Sequence, residues 1–274
     1  MKNNILSSWD DYAEQNYLLA ELLKRYNIPA IFFIEAGPQA AVDQIKFLAE
    51  LGFEIGCHTY SHPQDLKLLN DNDLEREITH CRKYLQSITG QPIDWFCYPR
   101  GRYDERIVNV VRRAGFKYAR TTSVKMSMYP NKLTQDTSWH CYNRKEYNGK
   151  PWEKYARHWL KFIRNNFRGD AANIHFWGHA REINKYGDWE KLEKLLKLIN
   201  RKYIQLKRKD KKMKKEKQYT FKEFKEFLAE KCFDLQKYKE GKYDRKIYSW
   251  FDLGKPRKVE FFKADGNFKK FRKS

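Results

Sequence analysis

Residues 29–62, PAIFFIEAGPQAAVDQIKFLAELGFEIGCHTYSH, decide the fold. Pro29 opens the apolar run 30–34, a Gly-Pro break follows, and 40–51 then sets its apolar residues on one helical face. The run 53–57 comes next and delivers His58 at its end. Strand, helix and strand in so short a span predict neighbouring parallel strands with a helix packed outside them.

The same alternation continues in both directions. Residues 3–8 read as a strand ending in Asp10 and Asp11, and 12–26 as a helix with Leu18, Leu19, Leu22 and Leu23 at helical period. Beyond His58, 73–88 is a polar-faced helix stopping near Gly90, 95–98 a strand ended by Pro99 and Gly101, 105–114 a helix closed by Gly115, and 116–119 a fifth strand. Residues 134–142 are aromatic and irregular with a strand among them, 152–166 helical, 172–176 a strand and 189–203 an amphipathic helix. This order predicts an α/β fold, either a doubly wound sheet or a barrel. Asp10, Asp11, His58, Arg100 and His179 all follow strands, where the loops of a barrel converge on one rim, so the barrel is preferred. No glycine-rich phosphate loop follows the first strand, which weakens a nucleotide-binding reading.

Composition adds bounds. The chain has 274 residues, 41% of them hydrophobic, enough for one large core. No run of 18 apolar residues and no secretory leader pattern are seen, so no transmembrane segment and a cytoplasmic location are expected. The five cysteines, Cys57, Cys81, Cys97, Cys141 and Cys232, are widely spaced with no CxxC pair and read as reduced thiols, Cys57 and Cys97 as small buried hydrophobes. The net charge is +21, and the part from Arg201 onward, with 26 basic and 11 acidic residues, carries +15 of it. Residues 206–274 are therefore set apart from a domain at 1–205 as a basic, aromatic-rich extension. Its lysine run 207–215 reads as a solvated linker or as a surface attracting an anionic polymer, and 220–230 as an amphipathic helix.

The chemistry gathers at two short motifs. His58 and His62 stand four residues apart, a spacing that brings both rings to one side of a helical turn and suits a divalent metal. Asp10 and Asp11 are adjacent carboxylates, and a cation on one leaves the other free as a base. One Asp and two His make three protein ligands with room for water and substrate, the pattern of a catalytic site. Taken alone, an Asp pair caps a helix and a His pair decorates a surface; together at strand ends they point to a metal hydrolase.

These residues resemble the polysaccharide deacetylases with a NodB-homology domain, the fourth family of carbohydrate esterases. Ser8-Trp9-Asp10-Asp11 is similar to that family's first motif and His58-Thr59-Tyr60-Ser61-His62 to its second. The resemblance implies a distorted (β/α)7 barrel, TIM-like, over about residues 3–200. It implies Asp10 as base, Asp11, His58 and His62 as ligands of one divalent metal (zinc, or nickel, cobalt or iron), and an N-acetylated carbohydrate as substrate. Phe96-Cys97-Tyr98-Pro99-Arg100-Gly101 is similar to the third motif, with Tyr98, Pro99 and Arg100 on the substrate side and the Arg100 N–H on the oxyanion. Cys97 stands where the family has the arginine that steadies the base, so how Asp10 is held is left open. Asp136 and Trp139 loosely match the residues lining the sugar pocket. For the general acid, His179 is preferred and His175 is the alternative, deeper in its strand. Two other readings stand beside this one: a hydrolase of other amides or acetyl esters at the same site, and an inert barrel whose basic tail binds an anionic polymer.

Overall fold

The computed structural model describes residues 4–36, 42–125, 132–166 and 173–201, with two further strands at 259–262 and 268–271. The chain divides into two units, Met1–Lys209 and Asp210–Ser274. In the first unit eight strands form one parallel sheet: β1 (Asn4–Asp10), β2 (Ala30–Ile34), β3 (Glu54–Cys57), β4 (Trp95–Cys97), β5 (Tyr118–Val124), β6 (Gln135–Thr137), β7 (Trp139–His140) and β8 (Asn173–Gly178). Their order is β6-β5-β4-β3-β2-β1-β8-β7. Seven α-helices lie among the described residues of this unit: α1 (Asn16–Arg25), α2 (Val42–Glu50), α3 (Asp71–Thr89), α4 (Glu105–Arg113), α5 (Trp152–Asn166), α6 (Ala180–Lys185) and α7 (Trp189–Ile199).

The two edges of the sheet belong to nearly continuous chain. β6 pairs with β5 and β7 with β8, and Ser138 alone separates them. Its N–H donates to the His175 carbonyl at 2.6 Å, and its Oγ accepts from the His175 N–H at 3.2 Å. The segment 135–140 is thus one rung broken at Ser138, handing the sheet from one edge to the other. Counted so, seven rungs make a nearly closed barrel, the architecture the sequence implies. Trp139 seals the join: it is 0% exposed and stacks on Phe176 of β8 with centroids 5.1 Å apart and planes 3° apart.

Burial follows strand position. β2 is buried at every residue because it is flanked by β1 and β3 and covered on both faces. Inside the barrel, Ile31, Phe33 and Cys97 cluster with Leu6 and Trp95. The Phe33 ring takes the space beside Gly56, where an added Cβ would stand 2.4 Å from it. Helix ends use local capping: Asn70 accepts from the Asp73 N–H at 2.9 Å, Asp104 from the Ile107 N–H at 2.9 Å, and Gly90 closes α3 in the left-handed conformation.

Two elements depart from the sequence reading. β5 begins at Tyr118 and runs to Val124, so that Arg120 lies inside it, and the short helix α6 directly follows His179. In the second unit β9 (Val259–Phe262) pairs antiparallel with β10 (Phe268–Phe271). The helix expected at 220–230 lies outside the described residues. No helix among the described residues is long and apolar enough to cross a membrane.

If the stacked indole is what closes the barrel, Trp139→Ala removes a large buried side chain at the join. A loss of about 3–5 kcal/mol is expected, read as a lower midpoint in urea unfolding.

Candidate metal centre

β1 delivers both carboxylates, but their side chains part company. Asp10 is the last residue of the strand and is buried inside the barrel. Asp11 takes a left-handed backbone conformation, φ 68°, that turns the chain at the rim. Its N–H donates to the Phe33 carbonyl at 3.0 Å, and its own carbonyl accepts from Asn16 Nδ2 at 3.1 Å, so the turn is pinned from two sides.

His58 leaves β3 with its N–H on the Ile34 carbonyl at 3.1 Å. Its Nδ1 lies 2.9 Å from the Cys97 carbonyl. A carbonyl only accepts, so Nδ1 carries the proton and Nε2 presents its lone pair, 3.6 Å from Asp11 Oδ1. His62 Nε2 stands 3.8 Å from the same oxygen. Burial, then His58, lowers the His62 pKa, which keeps that ring neutral and free to bind a cation. The two rings lie 4.7 Å apart at 71°. They are not on a helical turn as the spacing alone implied: Thr59 and His62 both have positive φ, 69° and 53°. The loop is strapped to α3 instead, where Glu77 accepts from the Ser61 N–H at 2.8 Å and from its hydroxyl at 2.6 Å.

Asp11 Oδ1 is buried and accepts no hydrogen bond among the described residues, although Asp11 is only 6% exposed. Its donor atom, with one from each of His58 and His62, lies within a cluster no wider than 4.8 Å. An orphaned carboxylate oxygen facing two imidazole lone pairs is the donor set of a divalent metal, with the oxygen and nitrogen chemistry zinc accepts. The other oxygen, Oδ2, is met by Arg181 Nη2 at 2.5 Å.

The question left by Cys97 is answered one strand away. Arg120 of β5 is the register partner of Cys97 on β4. Its Nη2 donates to both oxygens of Asp10 and to Cys97 Sγ at 2.8 Å. The guanidinium is fully buried, 4.5 Å above the Trp177 ring and 5.2 Å from that of Phe33. Burial alone would raise the Asp10 pKa, but Arg120, aided by His58 and His179, brings it down to about 2. Cys97 is held as a neutral thiol, its pKa pushed well up by burial. Arg120 directly follows the strand expected at 116–119, and nothing in its local pattern sets it apart from Lys117 within that strand.

His179, at the N-terminus of α6, places Nε2 3.8 Å from Asp11 Oδ2. Its Nδ1 lies 2.8 Å from Glu182 Oε2, and His140 Nε2 stands 3.1 Å from the same oxygen. Burial opposes charge on His179, yet the hydrogen bond to Glu182 and the nearby Asp10 carboxylate raise its pKa. Glu182 is itself held ionised, burial being outweighed by the two imidazoles. His175 is a different kind of residue. It is buried in β8 with Nε2 2.9 Å from Ser8 Oγ, and burial lowers its pKa to about 3.

The substrate-side residues divide. Arg100 is exposed at the tip of the loop after β4, in the left-handed region at φ 56°. Tyr98 is buried, its hydroxyl on the Leu133 carbonyl at 2.8 Å and its ring stacked on Tyr103, and Pro99 is buried beside it. Neither side chain lies open at the rim. Trp139 has no exposed surface and serves the barrel closure, which corrects its assignment to the sugar pocket. Asp136 is partly exposed and accepts from Thr121 Oγ1 at 3.4 Å.

A sequence profile of the polysaccharide deacetylase family matches residues 2–119. The peptidoglycan deacetylase of Helicobacter pylori is 24% identical over 101 residues, 36% of this chain and 34% of that protein. The Streptococcus pyogenes deacetylase PplD, solved with acetate, is 25% identical with a TM-score of 0.44, covering 47% of this chain and 61% of that one. A CE4 family pseudoenzyme from Bacillus anthracis is 15% identical with a TM-score of 0.49, covering 75% and 62%. The chain spans less than half the length of the curated relatives it matches.

Two outcomes follow from this geometry. Arg120→Met strands a buried carboxylate and is expected to cost about 3–5 kcal/mol in chemical denaturation. Because 97 and 120 are register partners, Cys97→Arg in the Arg120→Ser background should recover a large part of that loss; no recovery would mean the pairing is not the source of the effect. His175 gives a pH signature. Its folded pKa lies below the unfolded value of 6.5, so its stabilisation is present above pH 6.5 and is lost as pH falls toward 3, by about 1.4 kcal/mol per pH unit. His175→Gln should flatten that part of the stability profile measured by urea unfolding at stepped pH.

Proposed function

We propose, on the premise that residues 2–119 belong to the polysaccharide deacetylase family, that this barrel removes the acetyl group from an N-acetylated sugar and releases acetate. The observation that carries this reading is the orphaned Asp11 Oδ1 between two imidazoles, beside a second carboxylate that has its own cation. Asp11, His58 and His62 would hold one divalent metal, zinc by donor type, with nickel, cobalt or iron accepted by the same set. When bound, such an ion supplies Lewis acidity, polarising a carbonyl oxygen and bringing the pKa of water toward about 7.

The remaining work falls to the protein's own side chains. Asp10 takes the proton from the attacking water. A carboxylate with a pKa of about 2 is a weak base, and Arg120 fixes it in one orientation toward the site. His179 gives a proton to the departing amine. Burial opposes its charge but the hydrogen bond to Glu182 raises its pKa, which favours the protonated form, and Glu182 holds Nδ1 so that Nε2 faces the site. The Arg100 backbone N–H, on a turn that needs no particular side chain, is assigned to the developing oxyanion. His175, lacking access and protonation, is not assigned the acid role. The sugar substrate is supported by the likeness to the H. pylori peptidoglycan deacetylase, and this chain covers only 34% of that protein.

Zinc-loaded protein is expected to release acetate from N-acetylglucosamine oligomers. Asp10→Asn should cut that turnover at least about 100-fold while retaining zinc by elemental analysis, whereas His58→Ala should lose both. Turnover undiminished in Asp10→Asn, or wild-type protein that takes up no metal, overturns the assignment.

A further inference from the structure

Beside the Asp11 set lies a second group of the same composition, one carboxylate and two imidazoles: Glu182, His140 and His179. Glu182 Oε2 is their meeting point, 2.8 Å from His179 Nδ1 and 3.1 Å from His140 Nε2, and all three donor atoms lie within 4.8 Å of one another. Zinc bonds to nitrogen and oxygen run at about 2.0–2.2 Å, so two donors at a tetrahedral angle stand about 3.3–3.5 Å apart. The two measured pairs therefore need to open by roughly half an ångström to receive an ion. No lysine or arginine pairs with Glu182 among the described residues, because Arg181 is spent on Asp11 and Arg144 on Glu146.

His140 is the residue that points to a ligand. It is 5% exposed, and its Nε2 is buried without a well-aligned hydrogen bond among the described residues although Glu182 lies so near. An unpaired polar atom in that position costs about 1–3 kcal/mol. The ring is nevertheless held in place, stacked face to face on Trp177 with centroids 3.8 Å apart and planes 6° apart. Tyr147 clamps the main chain behind it, its hydroxyl accepting from the His140 N–H at 2.6 Å and donating to the His140 carbonyl at 2.9 Å. Burial also lowers the His140 pKa, which keeps a lone pair on the ring.

His179 joins the two sets, with Nε2 3.8 Å from Asp11 Oδ2 and Nδ1 on Glu182. A zinc ion taking the Nδ1 lone pair sends the proton of that nitrogen to solvent. The ring is then a neutral ligand, and the N–H left at Nε2 is held far more firmly than that of an imidazolium. We propose that His140, His179 and Glu182 form a second zinc site, filled at zinc concentrations above those that load Asp11, His58 and His62, and that an ion there stops turnover by withdrawing His179 from proton transfer. The binding half stands on the geometry alone, and the inhibitory half rests on the deacetylase reading above. The second ion is the weaker of the two because it displaces a proton from Nδ1, whereas Asp11 Oδ1 has no donor to displace.

The test titrates the full chain with zinc, reading bound metal by competition with a chromophoric chelator and acetate released from N-acetylglucosamine oligomers at each step. Two ions per chain are expected, with acetate release rising as the first binds and falling at least about tenfold as the second does. His140→Gln should keep the first ion, weaken the second by at least about 100-fold and remove the fall, each protein being compared with its own rate at one equivalent. His58→Ala should lose the first ion and keep the second. Anomalous scattering at the zinc edge from wild-type crystals grown with excess zinc needs no variant to fold, and it should show a peak bonded to His140, His179 and Glu182. Saturation of the wild type at one ion with no such peak, or a second ion that His140→Gln holds equally well, overturns the site. Two ions with acetate release undiminished overturns the inhibition alone. A peak at the second site with no acetate released at any zinc level leaves the site standing and removes the deacetylase reading together with the inhibition.

Discussion

Two carboxylates at consecutive positions, both withdrawn from water, govern everything at the mouth of this barrel. Adjacent buried negative charges cannot coexist without separate cations, because repulsion and desolvation act in the same direction. The structure gives each its own. Asp10 points inward to Arg120, while the left-handed turn at Asp11 swings its side chain the other way, toward His58, His62 and Arg181. That division pins one carboxylate to Arg120 and leaves the other with an oxygen that accepts no hydrogen bond among the described residues.

The supporting residues show how a barrel substitutes one position for another. The side chains of Cys97 and Arg120 meet at Asp10 because β4 and β5 run parallel in register. The small thiol at 97 is what makes room for the guanidinium, and it also accepts one of its hydrogen bonds. At the opposite side, α6 gathers His179, Arg181 and Glu182 within one turn. The start of this six-residue helix thus brings together the His179 imidazole that caps it, the Glu182 carboxylate that holds that ring and the Arg181 cation resting on Asp11.

Aromatic packing divides along the same lines. Trp177 and Phe33 face the interior and sandwich the Arg120 guanidinium, whereas Trp139 and Phe176 stack outside and close the sheet at Ser138. The alternation of strand residues produces both roles from adjacent positions in β8: His175 and Trp177 inward, Phe176 outward. A tryptophan beside a catalytic motif is therefore an ambiguous signal, and at 139 burial resolves it in favour of structure.

The sequence by itself determined the alternation of strands and helices, which is written in local period, and it singled out Asp10, Asp11, His58 and His62 as candidates through two short motifs at strand ends and their resemblance to a known family. It also ranked His179 above His175 by depth along one strand. What it could not contain was the pairing of Arg120 with Asp10, the hold of Glu182 on His179, the left-handed path that joins His58 to His62, and the closure of two edges by one broken rung. Those depend on which strands lie side by side and in what register, a property of the closed sheet that residues 110 positions apart acquire only when the chain is folded.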